Sequence, residues 1–426
     1  MRKLFSVYIM VMATMVIPMK PVLANDLSVV ISQSVLAENN AYSTSKDRKS
    51  EVVSDSNLKV SWKGDSTHHD AFVDYSMSYL EYVHDRFDNT RTIEGGSGAT
   101  FKTKSGRASW MVSDTESYTV VDKRLAEDED NKAQKSTLKT GPELIFALSK
   151  VDQFVLNLDY TKSKLRPSNQ STNSNDSQIK RAALSWEHQM SSIKDFSVSL
   201  SKEKTEYGST ENDLSTLGFF TELNVATASG KFSAGVGVDA LDKGQGSKST
   251  SNSFELNYSK DWSASNVAVK IGKELADTVE VSDISENNKF EDKSVRTNAN
   301  LDFETSLYLP TYTFTVGLAY VKDELQSEDN VQTVYSYDLG FQNQVSTHLT
   351  FMSGYNIERI KFDSNETNRV DLEHQFIIGA EYTISNSITL SANANISRRK
   401  FGEDDGSDEV DVNNSELILS IVYRAR

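Results

Sequence analysis

Apolar and polar residues alternate with a period of two along most of the chain. The clearest segments are residues 154–160, 217–225, 312–320 and 388–396. In the last of these, Ile388, Leu390 and Ile396 are separated by hydroxyl and amide side chains. Successive side chains of a β-strand point to opposite faces, so each segment predicts a strand with one apolar and one polar face.

The connections between these strands alternate between short and long. Short turns are predicted around residues 104–106, 149–150, 190–191 and 228–230. Ten long polar loops are predicted at residues 36–53, 84–91, 121–134, 163–176, 205–213, 241–250, 273–291, 322–331, 361–368 and 401–413. Ten long loops with nine short turns give about 20 strands, with a range of 16–20.

Two of these strands have weak patterns. The first, Leu27–Val35, is short, and in residues 106–120 two carboxylates, Asp114 and Glu116, share a face with Trp110 and Val112. The even strand number and the two classes of connection are typical of an outer-membrane barrel. The sequence therefore predicts an all-β fold, a transmembrane antiparallel up-and-down β-barrel over residues 25–426.

The chain has a mean hydropathy of -0.48 and is only 37% hydrophobic. A barrel wall tolerates such a composition because only every second residue must be apolar and the backbone groups pair between strands. The alternative is a soluble periplasmic β-protein, in which strands usually have about 5 or 6 residues. The longer runs seen here favour the barrel.

The N-terminus has the features of a secretory signal peptide. Arg2 and Lys3 precede an apolar run from Leu4 to Pro18, and Val22 and Ala24 occupy the positions that a signal peptidase recognises. Cleavage after Ala24 is expected, with an uncleaved anchor helix as the alternative. We therefore expect residues 1–24 to be a signal peptide and the protein to lie in the cell outer membrane, with both termini in the periplasm.

Charged side chains opposite the apolar rows are candidates for the lining of the barrel. Charge is costly toward lipid and tolerable toward a wet lumen. The candidate lumen-lining residues are Asp74, Glu222, Glu255, Lys270, Arg296, Asp302, Glu304, Asp338, Glu358 and Glu373. Acidic rings attract cations, which favours a mildly cation-selective channel. In the alternative, these side chains pair with one another and only support the wall.

Composition excludes several other functions. Asp and Glu (61) outnumber Lys and Arg (45), so a basic field for nucleic acid is absent. There is no cysteine, hence no disulfide, thiolate metal site or lipid-anchoring cysteine. The six histidines are scattered without a metal-ligand spacing or nucleophile motif. We expect no enzyme activity, no cofactor and no nucleic-acid partner.

The segment Phe72–Tyr82, with Asp74, Tyr75, Tyr79 and Tyr82, resembles one known group of proteins. These are large outer-membrane barrels encoded with exopolysaccharide, capsule or exosortase-system genes, and the likeness extends over the mature chain in length and layout. The resemblance implies a role in secreting or anchoring surface polysaccharide, and it carries over no catalytic residue.

Together these observations predict a water-filled passive channel linked to the export of surface polysaccharide. The alternatives are a general diffusion porin and a non-conducting structural barrel that docks periplasmic or surface partners. The expected partners are outer-membrane lipid and lipopolysaccharide, the barrel-assembly machinery and components of polysaccharide export.

Overall fold

The computed structural model describes residues 27–40, 49–84, 87–120, 132–167, 176–207, 213–242, 248–277, 293–307, 311–325, 331–363, 368–403 and 410–425. These residues form a single sheet of 20 antiparallel strands. No helix in these ranges is long and apolar enough to cross a membrane. The signal peptide predicted for residues 1–24 lies outside the described residues.

The strands follow one another along the chain and range from 12 to 18 residues. Their bounds are β1 Leu27–Glu38, β2 Glu51–Asp65, β3 His69–Tyr82, β4 Thr90–Lys102, β5 Ala108–Val120, β6 Lys132–Ala147, β7 Asp152–Pro167, β8 Ser177–Ser191, β9 Lys194–Tyr207, β10 Leu214–Thr227, β11 Gly230–Asp242, β12 Lys248–Asp261, β13 Ser265–Asp277, β14 Lys293–Leu307, β15 Tyr312–Leu325, β16 Val331–Gln344, β17 Leu349–Asp363, β18 Asn368–Ser385, β19 Ile388–Glu403 and β20 Val410–Ala425.

The sheet closes on itself. Every strand pairs with its neighbours in sequence, and β1 also pairs with β20 from Val29 opposite Ala425 to Glu38 opposite Glu416. A closed barrel leaves no strand edge with unpaired N–H and C=O groups. The prediction of an all-β antiparallel barrel of 20 strands is confirmed, and the two weakly patterned strands exist as β1 and β5.

The β16–β17 and β17–β18 connections have equal lengths, but longer and shorter connections alternate around the rest of the barrel as predicted, so the longest ones lie at one end. We call this the loop end, and the opposite end the turn end. Each of the ten predicted loops was too long: residues 36–53, for example, shrink to the connection between Glu38 and Glu51. The strands continue past the apolar region with polar residues on both faces, where the period-two signal disappears. The turn predicted at residues 190–191 lies at 192–193, because β8 extends to Ser191.

The pairing register divides the wall into two chemically different faces, because residues directly opposite each other point to the same side. One row across six strands is Phe303, Val316, Leu339, Tyr355, Phe376 and Ile396. One position along, the row is Asp302, Gly317, Asp338, Asn356, Gln375 and Ser397. We call these the apolar face and the polar face.

The apolar face is largely uncovered. Leu339 and Ile396 expose 55% and 57% of their surface, and many other large apolar side chains are exposed as well. Aromatic pairs reinforce neighbouring strands on this face, such as Phe314 and Phe341 with ring centroids 4.9 Å apart. We call this continuous exposed surface the apolar belt.

Most buried apolar side chains lie at the loop end instead. Tyr207, Leu214 and Leu241 form a buried cluster, against which Leu275 packs. Leu165 and Val53 are buried near the loop ends of β7 and β2. The barrel therefore has a packed rim at its loop end, while the middle of the wall is held mainly by inter-strand hydrogen bonds.

Asp114 of β5 lies on the apolar face, in the register of Ser97 and Leu138. Its carboxylate accepts a hydrogen bond of 2.7 Å from the Tyr75 hydroxyl on β3. The Tyr75 side chain crosses β4 beside Gly95, which stands directly opposite Tyr75 and has a φ of 132°. A residue that weakened the sequence pattern thus has a specific partner two strands away.

Gly95 is essential to this arrangement. An added Cβ would clash with the Asp74 carbonyl oxygen, at a positive φ that side chains rarely adopt. We predict that Gly95→Ala lowers the free energy of unfolding by about 2 kcal/mol or more. Urea titration of the detergent-folded protein, followed by tryptophan fluorescence, measures this change.

Gly354→Ala is the matched control. An added Cβ there meets only the Leu339 carbonyl oxygen, at the ordinary contact distance of 3.7 Å. We expect a change within about 1 kcal/mol. Equal effects of the two substitutions would contradict the special conformation of Gly95.

Candidate functional site

The polar face carries all the candidate residues. The register places the ten predicted side chains on that face, nine of them on β10–β18 and Asp74 alone on β3. Their contact with a water-filled interior stays a prediction. We call the seven acids on β10–β18 the acidic arc: Glu222, Glu255, Asp302, Glu304, Asp338, Glu358 and Glu373.

Small residues separate the acids at the start of the arc. One row runs from Glu222 through Gly235 to Glu255, and then through Gly272 to Asn298. Lys270 Nζ lies 3.9 Å from Glu255 Oε1, and Asn257 donates a hydrogen bond of 2.7 Å to the same oxygen. No ion pair joins Glu222 to another described residue, and the Asn224 side chain forms a hydrogen bond with its carboxylate.

Two aspartates approach each other over Gly317. A Cβ at Gly317 would lie 3.4 Å from Asp338 Oδ2 and 3.6 Å from Asp302 Oδ1. The absence of a side chain at Gly317 leaves the space between the two carboxylates open. Asn356 donates a hydrogen bond to Asp338 and partly offsets the charge concentrated there.

Two further acids, Glu358 and Glu373, stand directly opposite each other on β17 and β18. Like charges in this position oppose strand pairing. Arg399 of β19 is directly opposite Glu373 and places a positive charge beside that row, although its guanidinium also pairs with Asp371. The arc is therefore acidic overall, with Lys270 and Arg399 as its nearest basic residues.

The remaining candidates are paired outside the arc. Asp74 lies 3.0 Å from Lys59 Nζ and accepts a hydrogen bond of 2.7 Å from Ser61. Arg296 Nε lies 2.8 Å from Asp323 Oδ1, and Asp323 is buried at the loop end. Ion pairs of this kind are what the wall-stabilising alternative expects, and the lumen-lining role of both residues stays a prediction.

A buried charge network at the loop end was missed by the sequence analysis. Asp371 is only 2% exposed and binds both Arg369 Nε at 2.7 Å and Arg399 at 3.0 Å. The sequence predicts a loop over residues 361–368, whereas β18 begins at Asn368 and carries both Arg369 and Asp371. The spacing of Arg369 and Asp371 places them on one face of β18, but the third partner, Arg399, belongs to β19 and is brought there by the strand register.

Nothing in the described ranges groups three His, Asp or Glu side chains as a metal site. The polar face consists mainly of carboxylate, amide and hydroxyl groups. These groups form hydrogen bonds with water, and the acidic arc makes the polar face negative along β10–β18.

Glu51 forms a second charged site, at the loop end of β2 beyond the apolar belt. Its side chain is completely buried. Burial by itself raises the pKa of Glu51, but the backbone N–H groups of His84 and Val52 and the His84 ring hold the pKa below its ordinary value of 4.5. The three nitrogens lie 2.9, 2.8 and 3.0 Å from Glu51 Oε1.

The lowered pKa of Glu51 makes the loop end sensitive to acid. The stabilisation is present above the unfolded pKa and is lost as the pH falls through the folded value. We predict that Glu51→Gln costs about 1–2 kcal/mol at pH 5 and clearly less at pH 3. Urea titrations of both proteins at the two pH values measure the difference.

Glu81→Gln, at an exposed site on β3, is the control and should leave stability unchanged at both pH values. A Glu51→Gln penalty that is as large at pH 3 as at pH 5 would show that the charge of Glu51 is not what stabilises this end.

No protein-family model and no curated protein sequence matches the chain. Among solved structures it is similar to the FrpB iron transporter from Neisseria meningitidis, with a TM-score of 0.48, 8% identity and coverage of 95% of this chain and 82% of that one. The siderophore receptor PirA from Pseudomonas aeruginosa gives a TM-score of 0.48, 11% identity and coverage of 95% and 81%. Ligand and mechanism do not transfer to this chain at such similarity.

Proposed function

We propose that the protein is an outer-membrane β-barrel with a water-filled interior. The carrying observation is the apolar belt on a closed wall: the exposed rings and aliphatic side chains have no counterpart in a soluble barrel, and lipid would cover them. The polar face then faces inward. The longer loops would lie outside the cell and both termini in the periplasm, as in other outer-membrane barrels.

The proposed activity is passive passage of hydrophilic solutes. Barrels of about 16–18 strands already leave an aqueous channel, and this wall has 20 strands. The acidic arc would raise the local concentration of cations and oppose anions. The role is proposed to be non-catalytic, because solute contact needs only the groups that the polar face offers.

A link to the export of surface polysaccharide is proposed from the resemblance of Phe72–Tyr82 and the chain's layout. The acidic arc favours an uncharged polymer over an anionic one, because like charge opposes entry. The hydroxyl and amide side chains of the polar face suit contact with a polymer of hydroxyl groups. Partners from the barrel-assembly and polysaccharide-export machineries belong to the same proposal.

The packed rim supports a second candidate, a barrel that does not conduct and instead docks partners. Asp371, Asp323 and the cluster around Tyr207 are buried near the loop end. Side chains packed together at the loop end would narrow the opening of the barrel through which a solute must pass. A general diffusion porin would also conduct ions and would differ from a polysaccharide-export channel only in the solute that it passes.

We predict stable conductance in planar bilayers, with cations preferred over anions. Glu222→Gln, Asp302→Asn and Glu304→Gln together should lower the ratio of cation to anion permeability about two-fold or more, because the arc loses three acids that have no ion pair with a described residue. Reversal potentials in a salt gradient measure this ratio.

The matched control is Glu81→Gln, Glu116→Gln and Glu324→Gln, which removes three acids from the opposite face. Its permeability ratio should equal that of the unaltered protein. A folded barrel whose gel mobility changes on boiling, but which never conducts, would favour the docking role over the channel.

A further inference from the structure

A group of lysines lies on the apolar face of three adjacent strands. Lys162 and Lys164 belong to β7, Lys180 to β8, and Lys202 and Lys204 to β9; we call them the basic patch. Each lysine is an even number of positions from a belt residue of its own strand, namely Leu156, Leu184 or Leu200, and so lies on the same face. The side chains therefore point away from the polar face and cannot line the channel.

The register makes the patch compact. Lys180 is directly opposite both Tyr160 and Lys204, and Lys202 is directly opposite Ala182. Neighbouring strands lie about 5 Å apart, so the patch extends over roughly 10–15 Å. A ligand with two anionic groups at this spacing would meet several lysines at once.

Part of the patch is already neutralised and part is not. Lys180 and Lys204 lie 2.9 and 3.0 Å from the carboxylate of Glu206, and Lys204 also lies 2.7 Å from Asp213. Lys162, Lys164 and Lys202 have no ion pair with any described residue. The Glu206 pairs would fix the position of two lysines, while the other three remain available to an anion.

The basic patch lies between the apolar belt and the loop end of the barrel. The belt residues Leu156, Leu184 and Leu200 lie toward the turn end, and the lysines follow them toward the loop end. Tyr160 stands at the boundary and donates a hydrogen bond of 3.2 Å to Gln178. At the boundary between hydrocarbon and lipid headgroups, proteins commonly place an aromatic ring with a polar tip and, beyond it, basic residues. The side chains of β7–β9 follow this order.

We propose that the basic patch binds the phosphate groups of lipopolysaccharide in the outer leaflet. This proposal rests on the proposed outer-membrane location with the longer loops outside. Ammonium groups at the headgroup level attract phosphate, and a phosphorylated glycolipid has more than one phosphate to engage the patch. The bound lipid would cover the β7–β9 side of the barrel and hold it in the membrane at a fixed depth.

The test uses full-length mature barrel, folded in a non-ionic detergent, and purified lipid A with and without its phosphates as the probe. Native mass spectrometry or fluorescence titration measures binding. We expect phosphorylated lipid A to bind and dephosphorylated lipid A to bind about ten-fold more weakly or not at all. Lys162→Gln, Lys164→Gln and Lys202→Gln together should lower the affinity for phosphorylated lipid A about ten-fold or more.

Lys63→Gln, Lys135→Gln and Lys231→Gln remove the same total charge from the polar face and serve as the control. Their lipid A affinity should match that of the unaltered protein. Equal weakening by both triple variants, or equal binding of the two lipid A forms, would overturn the proposal. So would equally tight, patch-dependent binding of phosphatidylglycerol, which would show a general anionic-lipid site.

The two proposals fail in different ways. A protein that keeps its heat-modifiable mobility and inserts into bilayers, but binds lipid A equally with and without its phosphates, would refute only the lipid-binding proposal. A protein that stays monodisperse without detergent and never inserts would refute the membrane location, and the patch proposal with it.

Discussion

The hydrogen-bonded ladder between β1 and β20 is the contact on which the rest of the structure depends. It joins the first strand to the last over ten residue pairs, from Val29–Ala425 to Glu38–Glu416. Without it the sheet would have two open edges, which lipid cannot satisfy. With it, a chain of negative mean hydropathy encloses a space, and the two faces of one sheet become an outside and an inside.

Closure also explains where charge is tolerated. Alternation puts the acidic arc and the apolar belt on opposite sides of the same strands, so neither needs a separate domain. Two kinds of charged group on the apolar face have a structural explanation. Asp114 lies at the middle of β5 and accepts a hydrogen bond from Tyr75, and the lysines of β7–β9 lie toward the loop end, where headgroups are expected. The buried network around Asp371 closes the rim from the polar side.

The strand number, the alternation of short and long connections, and the face of each candidate side chain could be predicted from the sequence, because all three depend only on period two. Strand ends could not, since beyond the belt both faces are polar. Cross-strand partners were also inaccessible: the pairing of Arg296 with Asp323, or of Tyr75 with Asp114, depends on register. The clustering of Lys162, Lys180 and Lys204 could not be predicted either, because it depends on the register of β7, β8 and β9.

Site-directed spin labelling along β10 distinguishes a lipid-facing belt around a water-filled interior from a wall that is solvated on both faces. The chain has no cysteine, so single substitutions at each position from 217 to 225 label one site at a time. In lipid vesicles, we expect high oxygen accessibility at the odd positions and high accessibility to a water-soluble nickel complex at the even ones. Equal accessibility of both sets to the nickel complex, or a period other than two, would contradict a lipid-facing belt around a water-filled interior.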